Sequence, residues 1–161
     1  MALLDPESDK VFHEALVAHD HLGIGTILQE CHDLFKGVQS LTDCCGGDGT
    51  TARAIVKAFP HTKCNVLDLP KLVLHFWSDE DCINILAQCK KAIPSREMGG
   101  KVIVIDIVVG SSSKEMLETQ LLVDMHMLVC TRGRQRDENG WSTIFTKARF
   151  SNYKIIKKVG P

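Results

Sequence analysis

Apolar residues recur along this chain in two rhythms. Phe12, Ala15 and Leu16 mark one side of a short helix over Val11–Ala18. Ile27, Leu28, Cys31, Leu34 and Phe35 form a helical stripe over Gly25–Lys36, with Gly37 as a natural C-cap. The period then shortens. Ser40–Cys45 predicts a strand, followed by the turn Gly46-Gly47-Asp48-Gly49. A helix over Thr50–Phe59 follows, with Ala54, Ile55, Ala58 and Phe59 inward, and then a second strand at Cys64–Leu67 with Asp68 at its carboxyl end. Ser78 caps the next helix, with Asp81 in capping-box position and Cys82, Ile83, Leu86 and Cys89 as its stripe. Pro94–Gly100 reads as a loop. Val102–Val109, almost unbroken apolar sequence, predicts a strand buried on both faces. Leu117, Leu121, Leu122, Met125, Leu128 and Val129 mark a longer helix, Thr131–Arg136 a basic loop, Asp137–Ala148 a helix and Tyr153–Ile156 a last short strand. The order is that of an α/β chain, and its strand–turn–helix–strand segment is half of a mononucleotide-binding unit.

Composition narrows the function classes. The 161 residues suffice for one domain, and 44% apolar content supports an ordinary core. Nineteen Lys and Arg against twenty Asp and Glu leave a net charge of −1, which supplies no general attraction for nucleic acid or an acidic membrane. Seven scattered cysteines contain no CxxC, and the seven histidines do not cluster at ligand spacing, so no metal site is expected. Thiols set in apolar stretches suit a reducing, cytoplasmic setting. The acidic start of the chain, before any long apolar run, predicts neither a signal peptide nor a membrane helix.

Three places carry candidate chemistry. Gly46, Gly47 and Gly49 let a ligand approach backbone N–H groups at a helix amino end, and Asp68 is placed to meet ribose hydroxyls. The same residues also suit a plain strand-to-helix turn. Asp106 interrupts the most apolar strand and needs a partner or an open crevice. His75, just ahead of the Ser78 cap, is either a packed histidine or, beside a carboxylate, a base for a substrate hydroxyl. Met125, Met127 and Trp141 suit either core or the face of a flat ligand. Arg132, Arg134 and Arg136 suggest an anion patch, with a solvated loop as the default.

Taken together, these segments resemble the plant small-molecule O-methyltransferases that act on isoflavonoids and related phenolics. Leu41 to Thr50 is similar to that family's L-V-D-V-G-G-G-T-G-T turn, Asn65 to Pro70 to its strand ending in D-L-P, and His75 to Cys82 to H-D-W-S-D-E-D-C. Phe12 to Ala15, Gly100 to Val109 and Gly133 to Trp141 fall in family order. The resemblance implies an incomplete Rossmann-like methyltransferase domain: a mostly parallel sheet with helices on both faces. It implies a helical lead-in over 1–37 and a partial S-adenosylmethionine-dependent domain over 38–161, without the family's dimerisation domain, so a family-type homodimer is not expected. Methyl transfer from S-adenosylmethionine to a phenolic hydroxyl follows. Asp43, Gly46, Gly47, Gly49, Asp68 and Lys71 would hold the cofactor, and Trp77 and Met125 the acceptor. His75 would be the base, flanked by Asp106 and by Gln135, which stands at the family's second acid. Cys45, Asp48 and Phe76 also differ from the family pattern. About thirty family residues between Pro70 and Lys71 have no counterpart, which leaves a non-catalytic homologue or partner-binding fragment as the alternative.

Overall fold

The computed structural model describes residues 23–68, 73–110, 113–131 and 133–156. They form two compact units that divide between residues 68 and 73. The expected helix at Val11–Ala18 and Lys71 lie outside the described residues.

In the amino-terminal unit, residues 23–30 are helical (α1) and the chain then tightens into a 3-10 turn at His32–Leu34. The helix expected to reach Lys36 therefore breaks at Cys31, whose backbone leaves helical geometry (ψ 30°). Phe35 still reaches the core, packed at 6.0 Å from Phe59. Strand β1 (Ser40–Cys44), helix α2 (Thr50–Ala58) and strand β2 (Lys63–Leu67) form the predicted β–α–β unit. The two strands pair in parallel, Asp43 opposite Val66, as a helical crossover requires. On α2 the buried stripe is Ala52, Ile55 and Phe59, spaced three and four apart; Ala58, expected inward, is exposed. Thr62 is buried because its hydroxyl donates to the Val38 carbonyl at 2.7 Å.

The carboxyl-terminal unit is built on α3 (Asp79–Ala92) and α5 (Glu138–Lys147). Cys82, Leu86, Trp141, Ile144 and Ala148 make its core, with Val102, Val104 and Val108 packed against them. Full burial of Leu86 or Ile144 contributes about 2 kcal/mol each. Both helices start at side-chain caps: the Ser78 hydroxyl accepts from the Asp81 N–H at 3.2 Å, and Asp137 accepts from Gly140 at 2.7 Å. Among the described residues only Val108–Val109 of the expected Val102–Val109 strand is laddered; this is β3, paired in parallel with β4 (Arg136–Asp137). Ile105 is 53% exposed, so burial on both faces does not hold. A strand covered on both faces needs neighbours that residues 101–107 lack within this unit. Tyr153–Ile156 likewise forms no ladder.

Helix α4 (Lys114–Cys130) departs most from expectation. Leu121, Leu122, Met125, Leu128 and Val129 are exposed, and Met127 is the buried residue. Apolar residues surround this helix, so their spacing did not single out the covered side. Cys31, Cys44, Cys45, Cys64, Cys82 and Cys89 form no disulfide. Of these six, Cys82 is buried and Cys44 is exposed. No helix among the described residues is long and apolar enough to cross a membrane.

Candidate active site

The amino-terminal unit places the glycine turn between β1 and α2. Gly49 is the N-cap of α2 at φ +79°, and Gly47 has φ +49°. Nothing lies within 4 Å of a Cβ added at Gly47, so its backbone is open to a ligand. Gly46 is required for another reason: a Cβ there would stand 2.5 Å from Asp43 Oδ2. Cys45, one residue earlier, has φ +68°, a left-handed conformation that costs a side chain-bearing residue about 1–2 kcal/mol. Cys45→Gly is therefore expected to stabilise the protein by about 1 kcal/mol. Thermal unfolding would register this as a Tm about 3 °C higher, and an unchanged or lower Tm would contradict it.

Asp48 already uses the helix amino end. Its Oδ1 accepts from the Thr50 N–H and its Oδ2 from the Thr50 hydroxyl, both at 2.9 Å, and Arg53 Nη2 sits 3.2 Å from Oδ2. The Thr50 hydroxyl first, then its N–H and Arg53, hold the Asp48 carboxyl below its usual range. Asp68 is exposed just past β2.

The carboxyl-terminal unit brings His75 and Asp106 together. His75 lies on a 3-10 turn, Leu74–Phe76, and its Nδ1 is 3.0 Å from Asp106 Oδ1. The same oxygen accepts from the Ile107 N–H at 2.8 Å. Asp106 shares its parity with Val102, Val104 and Val108, so the two-residue period turns it toward the covered side; its side chain is only 6% exposed. An ionised carboxylate on Nδ1 selects the tautomer with the proton there, leaving the Nε2 lone pair free to accept one. Phe76 meets the imidazole edge-on at 4.8 Å.

The other expected site residues in this unit differ in their surroundings. Gln135 is buried, its backbone N–H donating to Asp124 Oδ1 at 2.7 Å, while its side-chain oxygen and nitrogen are buried without a hydrogen-bond partner. Trp77 packs against the core and its carbonyl accepts from Arg136. Met125 is exposed. Burial pushes the Cys82 thiol up to about 11 despite the nearby Arg136, so it is no nucleophile. No group of metal-ligating side chains is found among the described residues.

Two residues that matter were missed. Gly133 is buried so tightly that a Cβ would fall 1.8 Å from the His75 carbonyl oxygen. Arg136, expected on a solvated loop, has a side chain 1% exposed. Its partners Asp79, Trp77 and Leu74 lie 57 to 62 residues back in the chain, so no local signal marks it. Arg134 stays half-exposed and pairs with the same Asp79. Burial alone would raise the Asp79 carboxyl, but the bonds from Arg136 and Arg134 hold it below its usual range.

The fold is of the Rossmann-like α/β kind seen in solved O-methyltransferases. The O-methyltransferase domain family matches residues 1–74 and 71–151, and the chain belongs to that family. It is 55% identical over 190 residues to a flavonoid O-methyltransferase-like protein of Oryza sativa subsp. japonica, covering 99% of this chain and 51% of the relative. It is 56% identical over 191 residues to daphnetin O-methyltransferase 1 of Secale cereale, covering 99% of this chain and 54% of the relative. The chain thus spans about half the length of these relatives. The 190 aligned positions exceed its 161 residues, so part of the aligned stretch of that relative has no counterpart in this chain. Among solved structures, CalO1, a methyltransferase in calicheamicin biosynthesis in its SAH-bound form, shares the fold at TM-score 0.68 and 24% identity, over 89% of this chain and 52% of that one.

For the amino-acid end of such a cofactor the turn offers open backbone at Gly47 and an exposed Asp68, whereas both carboxylate oxygens of Asp48 are already engaged by Thr50 and Arg53.

Proposed function

We propose that this chain is an S-adenosylmethionine-dependent O-methyltransferase for small phenols of the flavonoid type. The observation that carries the reading is the His75 Nδ1–Asp106 Oδ1 contact at 3.0 Å. S-adenosylmethionine, when bound, supplies an electrophilic methyl group on sulfonium. Gly46, Gly47 and Gly49, with Asp43 and Asp68, would hold it, and Lys71 belongs to the same set.

The chain's own task is to make the acceptor nucleophilic. A phenol with a pKa near 10 is almost wholly protonated at neutral pH, and its phenolate is the attacking species. His75 Nε2 would take the phenolic proton, leaving the acceptor oxygen as the nucleophile. Asp106 accepts from the Nδ1–H throughout and balances the imidazolium charge. Gln135 carries no charge to share in that balance, and its buried amide has no hydrogen-bond partner. Met125, exposed on α4, is free to meet an aromatic ring, and Trp77 backs the turn bearing His75. The names of the two plant relatives support the phenolic class.

Incubating the chain with S-adenosylmethionine and a panel of flavonoid phenols is expected to yield monomethylated products by mass spectrometry. Absence of both transfer and calorimetric cofactor binding would overturn the proposal. A second reading, a non-catalytic homologue, is favoured by Asp48 occupying the α2 amino end; cofactor binding without transfer would select it.

A further inference from the structure

We infer that Arg136 sets the His75–Asp106 geometry, as a positioning residue acting on both partners at once. The inference rests on His75 being the base proposed above. Its backbone acts on the acid: Arg136 is registered with Val108 in the β3–β4 ladder, two residues past Asp106, so this pairing fixes the segment that carries the carboxylate. Its side chain acts on the base. Nη2 donates to the Trp77 carbonyl at 2.7 Å and Nη1 to the Leu74 carbonyl at 3.5 Å, and those carbonyls bracket His75 on its turn.

The guanidinium is itself immobilised. Nη1 also donates to the Arg134 carbonyl at 3.1 Å, Nε to Asp79 Oδ1 at 2.9 Å, and the group lies 5.5 Å over the Trp141 ring. A charge buried to this extent persists only where it is paired, and here the pairing partner stands at the start of α3. Leaving its place would take a donor from three carbonyls and leave Asp79 to Arg134. Lysine is not equivalent. Only the planar fork holds three carbonyls and a carboxylate at fixed separation, whereas an ammonium on a flexible stem does not. Arg136 thus joins the turn, the acid's strand and the α3 terminus into one rigid unit.

The test reads His75 directly, in the full chain, by two-bond nitrogen–proton correlation of its ring, alongside kcat and KM. In the wild type the Nδ1–H tautomer is expected to dominate. In Arg136→Lys that dominance is expected to be lost and kcat to fall roughly 10²-fold, the order of loss for a misplaced group, with KM for S-adenosylmethionine unchanged. Asp79→Asn keeps the guanidinium but removes its anchor, and is expected to shift the His75 tautomer in the same direction by less. A folded Arg136→Lys protein with wild-type His75 signals would overturn the inference. If that variant does not fold, Asp79→Asn decides, and unchanged signals there overturn it equally. The spectra need no turnover, so the two claims fail separately. An active His75→Ala protein removes the base and leaves the clamp, while unmoved His75 signals remove the clamp and leave the base.

Discussion

His75→Ala is expected to lower kcat/KM for phenol methylation by about 10³-fold at pH 7. The size follows from the acceptor. With a phenolic pKa near 10, roughly one molecule in a thousand is phenolate at pH 7, and a positioned base removes that limit. Without His75 the reaction must wait for the ionised fraction, so the deficit should shrink about tenfold for each pH unit between 7 and 10. Cofactor affinity, measured by calorimetry, should stay as in the wild type, because the proton on a phenol has no part in it. A variant as active as the wild type, or a deficit that does not change with pH, would remove His75 as the base. His75→Ala also leaves Asp106 with the Ile107 N–H as a remaining donor, so the fold should survive the change.

Gly133→Ala should damage stability and chemistry together. The added methyl would lie 1.8 Å from the His75 carbonyl oxygen and 2.5 Å from the Phe76 carbonyl carbon, both backbone atoms with no rotamer to give way. Either the loop or the His75 turn must move. Relief of such overpacking costs about 2–3 kcal/mol, and displacing the turn from Asp106 should cost roughly 10²-fold in kcat. Denaturant unfolding and steady-state kinetics on one preparation measure both. Gly25→Ala is the control: its Cβ meets nothing within 4 Å and it lies in helix 23–30, so neutrality or a gain up to about 1 kcal/mol is expected. Equal stability of the two variants would contradict the close approach at Gly133.

Elements whose signals are local were legible in the sequence. Ser78 and Asp81 lie three residues apart, and the cap they form needs nothing else. The Gly46–Gly49 turn, α2 and β2 follow from spacing within some thirty residues, as do α3 and α5. The candidate base and acid were visible as residue types, His75 before a cap and Asp106 in an apolar run. Their meeting was not, since 31 residues separate them. The α4 stripe marked an apolar surface without saying what covers it, and the Val102–Val109 run marked a strand without supplying its neighbours.

By itself the sequence determined the β–α–β order, the helix starts and the family, because each is written in spacings of a few residues or in motifs read in line. Tertiary structure alone decided that Arg136 is buried rather than solvated, that Gly133 must lack a side chain, and that Asp106 meets His75. Each depends on atoms brought together from distant parts of the chain, and a hydrogen bond or a steric contact acts only over a few ångströms of space, whatever the distance along the backbone.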